Sequence, residues 1–219
     1  MTVKLIALTK PVDINISNIS SEDLTAYIAR VSNPSNQLNT ETSARLLKYC
    51  IKNAHWSVFE HVSFTVEIKT SRAIAAQILR HRSFVFQEFS QRYSEVTNTI
   101  IVEARSQDPK NRQNSVDNMS QEDKDWFIDA QKETTESSFN YYSEALKRGI
   151  AKEQARFLLP LSTETTLYMT GNLRSWITYI DLRTSNGTQK EHSEIAESIK
   201  IIFIEQFPNI AEAKGWSND

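Results

Sequence analysis

The run SFTVEIKTSRAIAAQILRHRSFVFQEFSQRYS, residues Ser63–Ser94, combines a change of hydrophobic period with the densest chemistry in the chain. From Ser63 to Lys69 polar and apolar residues alternate, the pattern of a strand with one buried face. Ser71 then stands where a capping hydroxyl belongs, and the spacing predicts a helix over Arg72–His81. From Arg80 to Ser94, three arginines, a histidine, a glutamate, three phenylalanines and a tyrosine share fifteen positions. Ser83–Tyr93 is expected to be extended or looped. Arginine offers a planar fork of donors that matches phosphate and carboxylate oxygens, and aromatic faces between forks suit a flat heterocycle. Together they describe a site for a ligand both anionic and aromatic, which is the chemical description of a nucleotide. Two other readings use the same residues: cations gathered at a helix C-terminal end, and a groove for single-stranded nucleic acid.

The rest of the chain narrows these choices. A net charge of −2 over 219 residues argues against wholesale binding of a nucleic-acid polymer, which usually needs a strongly basic domain. None of the four glycines sits in a G-x-G-x-x-G or Walker-type loop, so phosphates would be held by arginines and helix N-termini. Cys50 is the sole cysteine, which excludes an internal disulfide and any CxxC motif. It lies in an amphipathic stretch and reads as core packing. The histidines, His55, His61, His81 and His192, have no metal-ligand spacing, so no metal is expected. The N-terminus is unlike a signal peptide and no apolar run approaches membrane-spanning length. The expectation is a soluble, cytoplasmic protein without membrane contact.

Outward from Ser63–Ser94, Val3–Thr9 reads as a short strand and Asn18–Asp23 offers caps for a helix ending near Arg30. A loop over Ser32–Gln37 and a helix from Glu41 to Asn53 follow. Ser106–Gln121 is polar, aperiodic and interrupted by Pro109, an exposed excursion that could act as a lid. A long helix is expected over about 121–148, ended by Gly149. Lys152–Leu158 should be a short helix stopped by Pro160, Ser162–Thr170 a strand, and Leu173–Leu182 and Glu191–Phe207 helices. Helices outnumber strands and do not alternate with them. The expected fold is α+β, one domain over 1–219, with a small, mostly antiparallel sheet packed by several helices including the long one.

Arg80-His81-Arg82, seven residues, then Ser90, with Glu88, Arg92 and Tyr93 in register, resembles the signature of the flavin-dependent thymidylate synthases. Further resemblances follow in that family's order: Ala29-Arg30-Val31-Ser32, His55-Trp56-Ser57-Val58-Phe59-Glu60-His61, Gln154–Pro160, Asn172-Leu173-Arg174 and Leu182-Arg183. The resemblance implies reductive methylation of dUMP to dTMP. Methylenetetrahydrofolate would be the carbon donor, FAD the hydride carrier and NADPH the reductant. It also implies a homotetramer with sites between subunits, and no protein nucleophile.

By the same resemblance Arg183 is the catalytic residue, polarising the pyrimidine. A fixed cation beside an ionising ring nitrogen stabilises the developing anion best where water is excluded. Read without the resemblance, Arg183 is a helix-end arginine or the partner of Asp181. Gln77, Arg80, Glu88, Ser90, Gln91, Arg92, Arg156 and Arg183 match positions that bind dUMP. Ser57, Arg80, His81, Arg82, Glu88, Asn172, Leu173, Arg174 and Thr178 match positions that contact FAD. His55 matches a histidine on the folate and flavin side, while Glu60 and His61 support the site from behind. Ser90 reads as a hydrogen-bond donor, because no base and orienting acid accompany it as a nucleophile requires. Val85, Gln87, Thr178 and Gly187 depart from the residues many members carry. Two alternatives stay open: a nucleotide-binding module without catalysis, and a family member that binds FAD without turnover.

Overall fold

The computed structural model describes residues 1–216. The elements in order are β1 (Thr2–Leu8), α1 (Ser21–Ala29), α2 (Ser43–Lys52), β2 (Ser63–Ser71), α3 (Arg72–Ile78) and β3 (Val85–Glu88). A small hairpin of β4 (Ser106–Gln107) and β5 (Ser115–Val116) precedes α4 (Gln121–Lys147) and α5 (Lys152–Ala155). The chain closes with β6 (Glu164–Asn172), α6 (Leu173–Arg183), α7 (Lys190–Gln206) and α8 (Pro208–Lys214). The main sheet runs β1-β2-β6-β3 with every neighbouring pair antiparallel, as expected of an α+β fold.

Alternation in β2 explains the layering. Phe64, Val66, Ile68 and Thr70 point into the core, whereas Thr65, Glu67 and Lys69 lie on the other face. That other face is held by polar pairs, Thr65 with Thr170 at 2.8 Å and Tyr168 donating to Glu67 at 2.8 Å. Helices therefore cover one face of the sheet, with Trp176 at the centre of the contact. Its ring stacks on Phe64 at 4.4 Å and meets Phe84 edge-on at 4.6 Å. Its indole N–H donates to the carbonyls of Gly171 (3.0 Å) and Phe64 (3.3 Å).

Gly171 has no side chain for a packing reason. A Cβ there would lie 2.4 Å from a ring carbon of Phe84, itself wedged against Trp176 and Tyr179. Gly171→Ala is expected to destabilise the fold by about 1–3 kcal/mol through overpacking. A lower urea midpoint at unchanged slope is the readout.

Local capping agrees with the sequence. Ser20, Ser71, Ser120 and Asn172 each accept a backbone N–H in the first turn of the helix they precede. α3 is shorter than expected, ending at Ile78 rather than His81. α8 lies beyond the helix expected to end at Phe207, because Pro208 occupies the first position of a new helix. The excursion over Ser106–Gln121 holds the β4–β5 hairpin, ordered by Asp108. One Asp108 oxygen accepts from the backbone of Lys110 (2.8 Å) and Asn111 (3.0 Å), and the other accepts from Asn114 (3.0 Å). At 27 residues α4 is about 40 Å long. It buries only Tyr142 and Ala145, in a small cluster with Ala155 beside the main core. No helix among the described residues is long and apolar enough to cross a membrane.

Candidate active site

Three groups of candidate residues emerge. The first joins the C-terminal ends of α3 and α6. Arg183, the last residue of α6, donates its Nε–H to His81 Nε2 at 2.9 Å. Since that ring nitrogen accepts, the proton of a neutral His81 resides on Nδ1. Burial, with a further contribution from the Arg183 charge, pushes the His81 pKa down to about 4. Arg183 is thus held by a neutral ring, and no carboxylate among the described residues pairs with it. Asp181, the competing partner, accepts from Lys214 at 2.6 Å. The site therefore keeps an uncompensated cation in a partly buried position. Arg80 is exposed just beyond α3, and Gln77, near the end of α3, donates to Gln189 at 2.7 Å.

The second group gathers at the other end of α3. Glu88, closing β3, accepts through one oxygen from Arg72 (2.6 Å) and Thr165 (2.9 Å). Gln91 is buried, and with Arg72, Arg156 and Phe157 it lines an open cavity of about 350 Å³. Arg92 is largely exposed and pairs with Glu153 at 3.0 Å. Ser90 accepts from the Arg92 backbone N–H at 3.3 Å, and no histidine or carboxylate lies within hydrogen-bonding reach of its hydroxyl among the described residues. With seven residues in α3, the first and second groups lie about 10 Å apart along its axis. No described hydrogen bond or ion pair links them directly.

The third group follows the first two turns of α6. Arg174 pairs with Glu60 of the short 3₁₀ turn Trp56–Glu60, which also carries exposed Ser57. Thr178, exposed one turn later, donates to the Arg174 carbonyl at 3.0 Å. Asn172 and Leu173 are otherwise engaged. The Asn172 oxygen caps α6 by accepting from Ser175 at 2.9 Å. Leu173 is fully buried, and its N–H donates to the Val62 carbonyl. His55 is exposed, its ring edge-on to Tyr49 at 5.7 Å. Exposed Arg82, Arg174 and Ser57 offer cation and hydroxyl donors, and the Thr178 hydroxyl oxygen an acceptor, a set that suits the diphosphate and polar edges of a flavin dinucleotide.

Several neighbours carried no sequence signal. Arg72 and Thr165, which orient Glu88, lie 16 and 77 residues from it. His192 is fully buried, with Nε2 at 3.1 Å from the Tyr179 hydroxyl and Nδ1 at 3.4 Å from Gln77 Oε1. Burial, then the charge of Arg183, pushes the His192 pKa down to about 3. Burial raises that of the Tyr179 hydroxyl.

Both depressed histidines bear on stability against pH. In the unfolded chain each charges near its ordinary pKa of 6.5. Their stabilising contribution is therefore complete above about 6.5 and is lost as pH falls toward about 4 for His81 and about 3 for His192. The urea midpoint is expected to fall between pH 7 and pH 5, and His192→Phe should flatten that fall. An equally steep fall in the variant contradicts the assignment.

The family described as thymidylate synthase complementing protein, Thy1, matches residues 16–209. The chain is 56% identical over 217 residues to a "Probable flavin-dependent thymidylate synthase" of Paramecium bursaria Chlorella virus 1, covering 99% of this chain and 100% of that one. It is 54% identical over 217 residues, with the same coverage, to the flavin-dependent thymidylate synthase of Synechocystis sp.. Among solved structures it resembles the UMP/dUMP methylase PolB from Streptomyces cacaoi bound with 5-Br dUMP. That superposition has a TM-score of 0.82 at 26% identity, covering 98% of this chain and 94% of that one. With the signature arginines set around α3 and α6 as described, and with likeness running nearly end to end, the chain belongs to the flavin-dependent thymidylate synthase family.

Proposed function

We propose that this chain methylates dUMP reductively to dTMP, with methylenetetrahydrofolate as carbon donor, and that Arg183 acts on the pyrimidine. The observation that carries the reading is the Arg183–His81 contact. A neutral imidazole orients the guanidinium without cancelling its charge, leaving that charge free to stabilise an anion on the pyrimidine. FAD bound by Ser57, Arg82, Arg174 and Thr178 would supply the hydride, with NADPH as reductant. Ser90 has no base beside it and serves as a hydrogen-bonding partner of the nucleotide. Arg92 and Arg156 suit the phosphate, as forked donors near an open cavity.

The separation of Arg183 from Arg156 along α3 supports a site shared between subunits. Each copy would give the Gln77–Arg80–Arg183 end to one nucleotide and the Glu88–Arg92–Arg156 end to another. Tyr93 (82% exposed), Phe157 (78%) and Leu161 (74%) surround the second end, an apolar rim suited to contact with another copy. A single domain assembled as a homotetramer and working in the cytoplasm fits this arrangement.

The test is chromatographic detection of dTMP after incubating the purified protein with dUMP, methylenetetrahydrofolate, NADPH and FAD, beside a control lacking FAD. Flavin-dependent product is expected. Folded, flavin-loaded protein that yields none contradicts the proposed reaction.

A further inference from the structure

A directional chain of hydrogen bonds runs through Gln77. At one end is Tyr179, whose buried hydroxyl keeps its proton and stands 3.1 Å from His192 Nε2. Next comes His192, with Nδ1 3.4 Å from Gln77 Oε1. Gln77 Nε2 donates to Gln189 Oε1 at 2.7 Å, and Gln189 Nε2 donates to Glu191 Oε2 at 2.9 Å. Arg105 closes the chain by donating to the other Glu191 oxygen at 2.5 Å, in a pair whose side chains are 10% and 7% exposed.

Only one polarity satisfies every link. Arg105 cannot lose its proton and a carboxylate can only accept, so Glu191 must receive from Gln189 as well. Gln189 then turns its oxygen toward Gln77, which must donate to it. The Gln77 oxygen consequently faces His192 and requires the proton on Nδ1, leaving Nε2 to accept from Tyr179. Reversing Gln77 alone sets its oxygen against the Gln189 oxygen, and reversing Gln189 sets its carbonyl against the Glu191 carboxylate. A surface glutamine is ordinarily free to turn its amide over. Gln77, anchored at both ends, is not.

We propose that Glu191, acting through Gln189 from one side, and His192, acting from the other, are positioning residues that fix the Gln77 amide with one N–H left free for the nucleotide. This rests on reading Gln77 as a nucleotide ligand. Such a fixed donor raises affinity for the ground state and transition state alike, so its loss should appear in KM and not in kcat.

Gln189→Met cuts the chain without unpairing Arg105 and Glu191. It is expected to raise KM for dUMP by about three- to tenfold, the worth of one hydrogen bond, with kcat nearly unchanged. Gln77→Ala sets the scale, and the double variant should be no worse than Gln77→Ala alone. In ¹⁵N-histidine spectra, assigned by replacing each of the four histidines, His192 should carry its proton on Nδ1 and lose that strict preference in Gln189→Met. An unchanged KM in Gln189→Met beside a raised KM in Gln77→Ala overturns the positioning role. A native His192 proton on Nε2 overturns it too. An unchanged KM in Gln77→Ala removes the nucleotide-ligand reading, and the proposal with it.

Discussion

Arg183→Ala is expected to lower kcat for dTMP formation by about 10²–10³-fold, the loss typical of one preorganised charge-stabilising group. Flavin absorbance of the purified variant should persist, because the exposed groups assigned to FAD belong to Arg82, Ser57, Arg174 and Thr178. Two features set the size of the effect. The guanidinium pairs with no described carboxylate, so its full charge is available. Its partner His81 is held neutral by burial, so loss of Arg183 leaves no cation in its place. Removing that charge should also let the His81 pKa rise from about 4, since the Arg183 charge is one of the two causes of its depression. Arg183→Lys separates charge from geometry. It keeps the cation but loses the planar fork, so intermediate turnover is expected. Turnover in Arg183→Ala equal to native would remove this residue from the chemistry.

The largest expected effect on stability comes from Trp176→Ala. The indole is fully buried, stacked on Phe64, in edge contact with Phe84, and shares its N–H between two carbonyls. A cost of about 3–5 kcal/mol is expected from lost burial and the cavity left behind. Trp176→Phe should cost less, since it retains most of the ring surface and forfeits the hydrogen bonds. Equilibrium urea unfolding measures both. Trp176 lies on the helix that ends at Arg183 and on the core face behind Phe84, so Trp176→Ala should also loosen the Arg183–His81 contact. Equal unfolding costs for the two variants would contradict the cavity argument.

The sheet and its covering helices were legible because they rest on local signals. Period-two alternation marked β2, and the capping residues before α1 and α3 marked helix starts that the structure keeps within a residue or two. The hairpin inside Ser106–Gln121 left no such mark. Its strands are two residues each, too short for a period, and its order comes from Asp108 folding back on nearby amides. α8 was hidden by Pro208, which ends a helix and opens one equally well. At the site, the family resemblance pointed to Arg183, Arg92 and Arg156. Which of them share an end of α3 did not follow, because that depends on how β6 and α6 return beside it. The His192–Gln77–Gln189–Glu191 chain was invisible for a related reason: His192 reads in sequence as one polar residue at a helix start, and only its burial gives it a role. Leu173 shows the opposite case, a residue of the Asn172-Leu173-Arg174 motif whose side chain belongs wholly to the core.

The central claim is that the two ends of α3 serve one nucleotide only when different copies of the chain meet. Subunit mixing tests it most directly. Arg183→Ala and Arg156→Ala are each purified, shown to be nearly inactive alone, then dissociated together, reassembled and assayed for dTMP. Recovery to about a quarter of native turnover is predicted, because random pairing of copies leaves one site in four with both arginines. No recovery from mixed assemblies of native size would place both arginines of each site on the same chain and contradict the shared site.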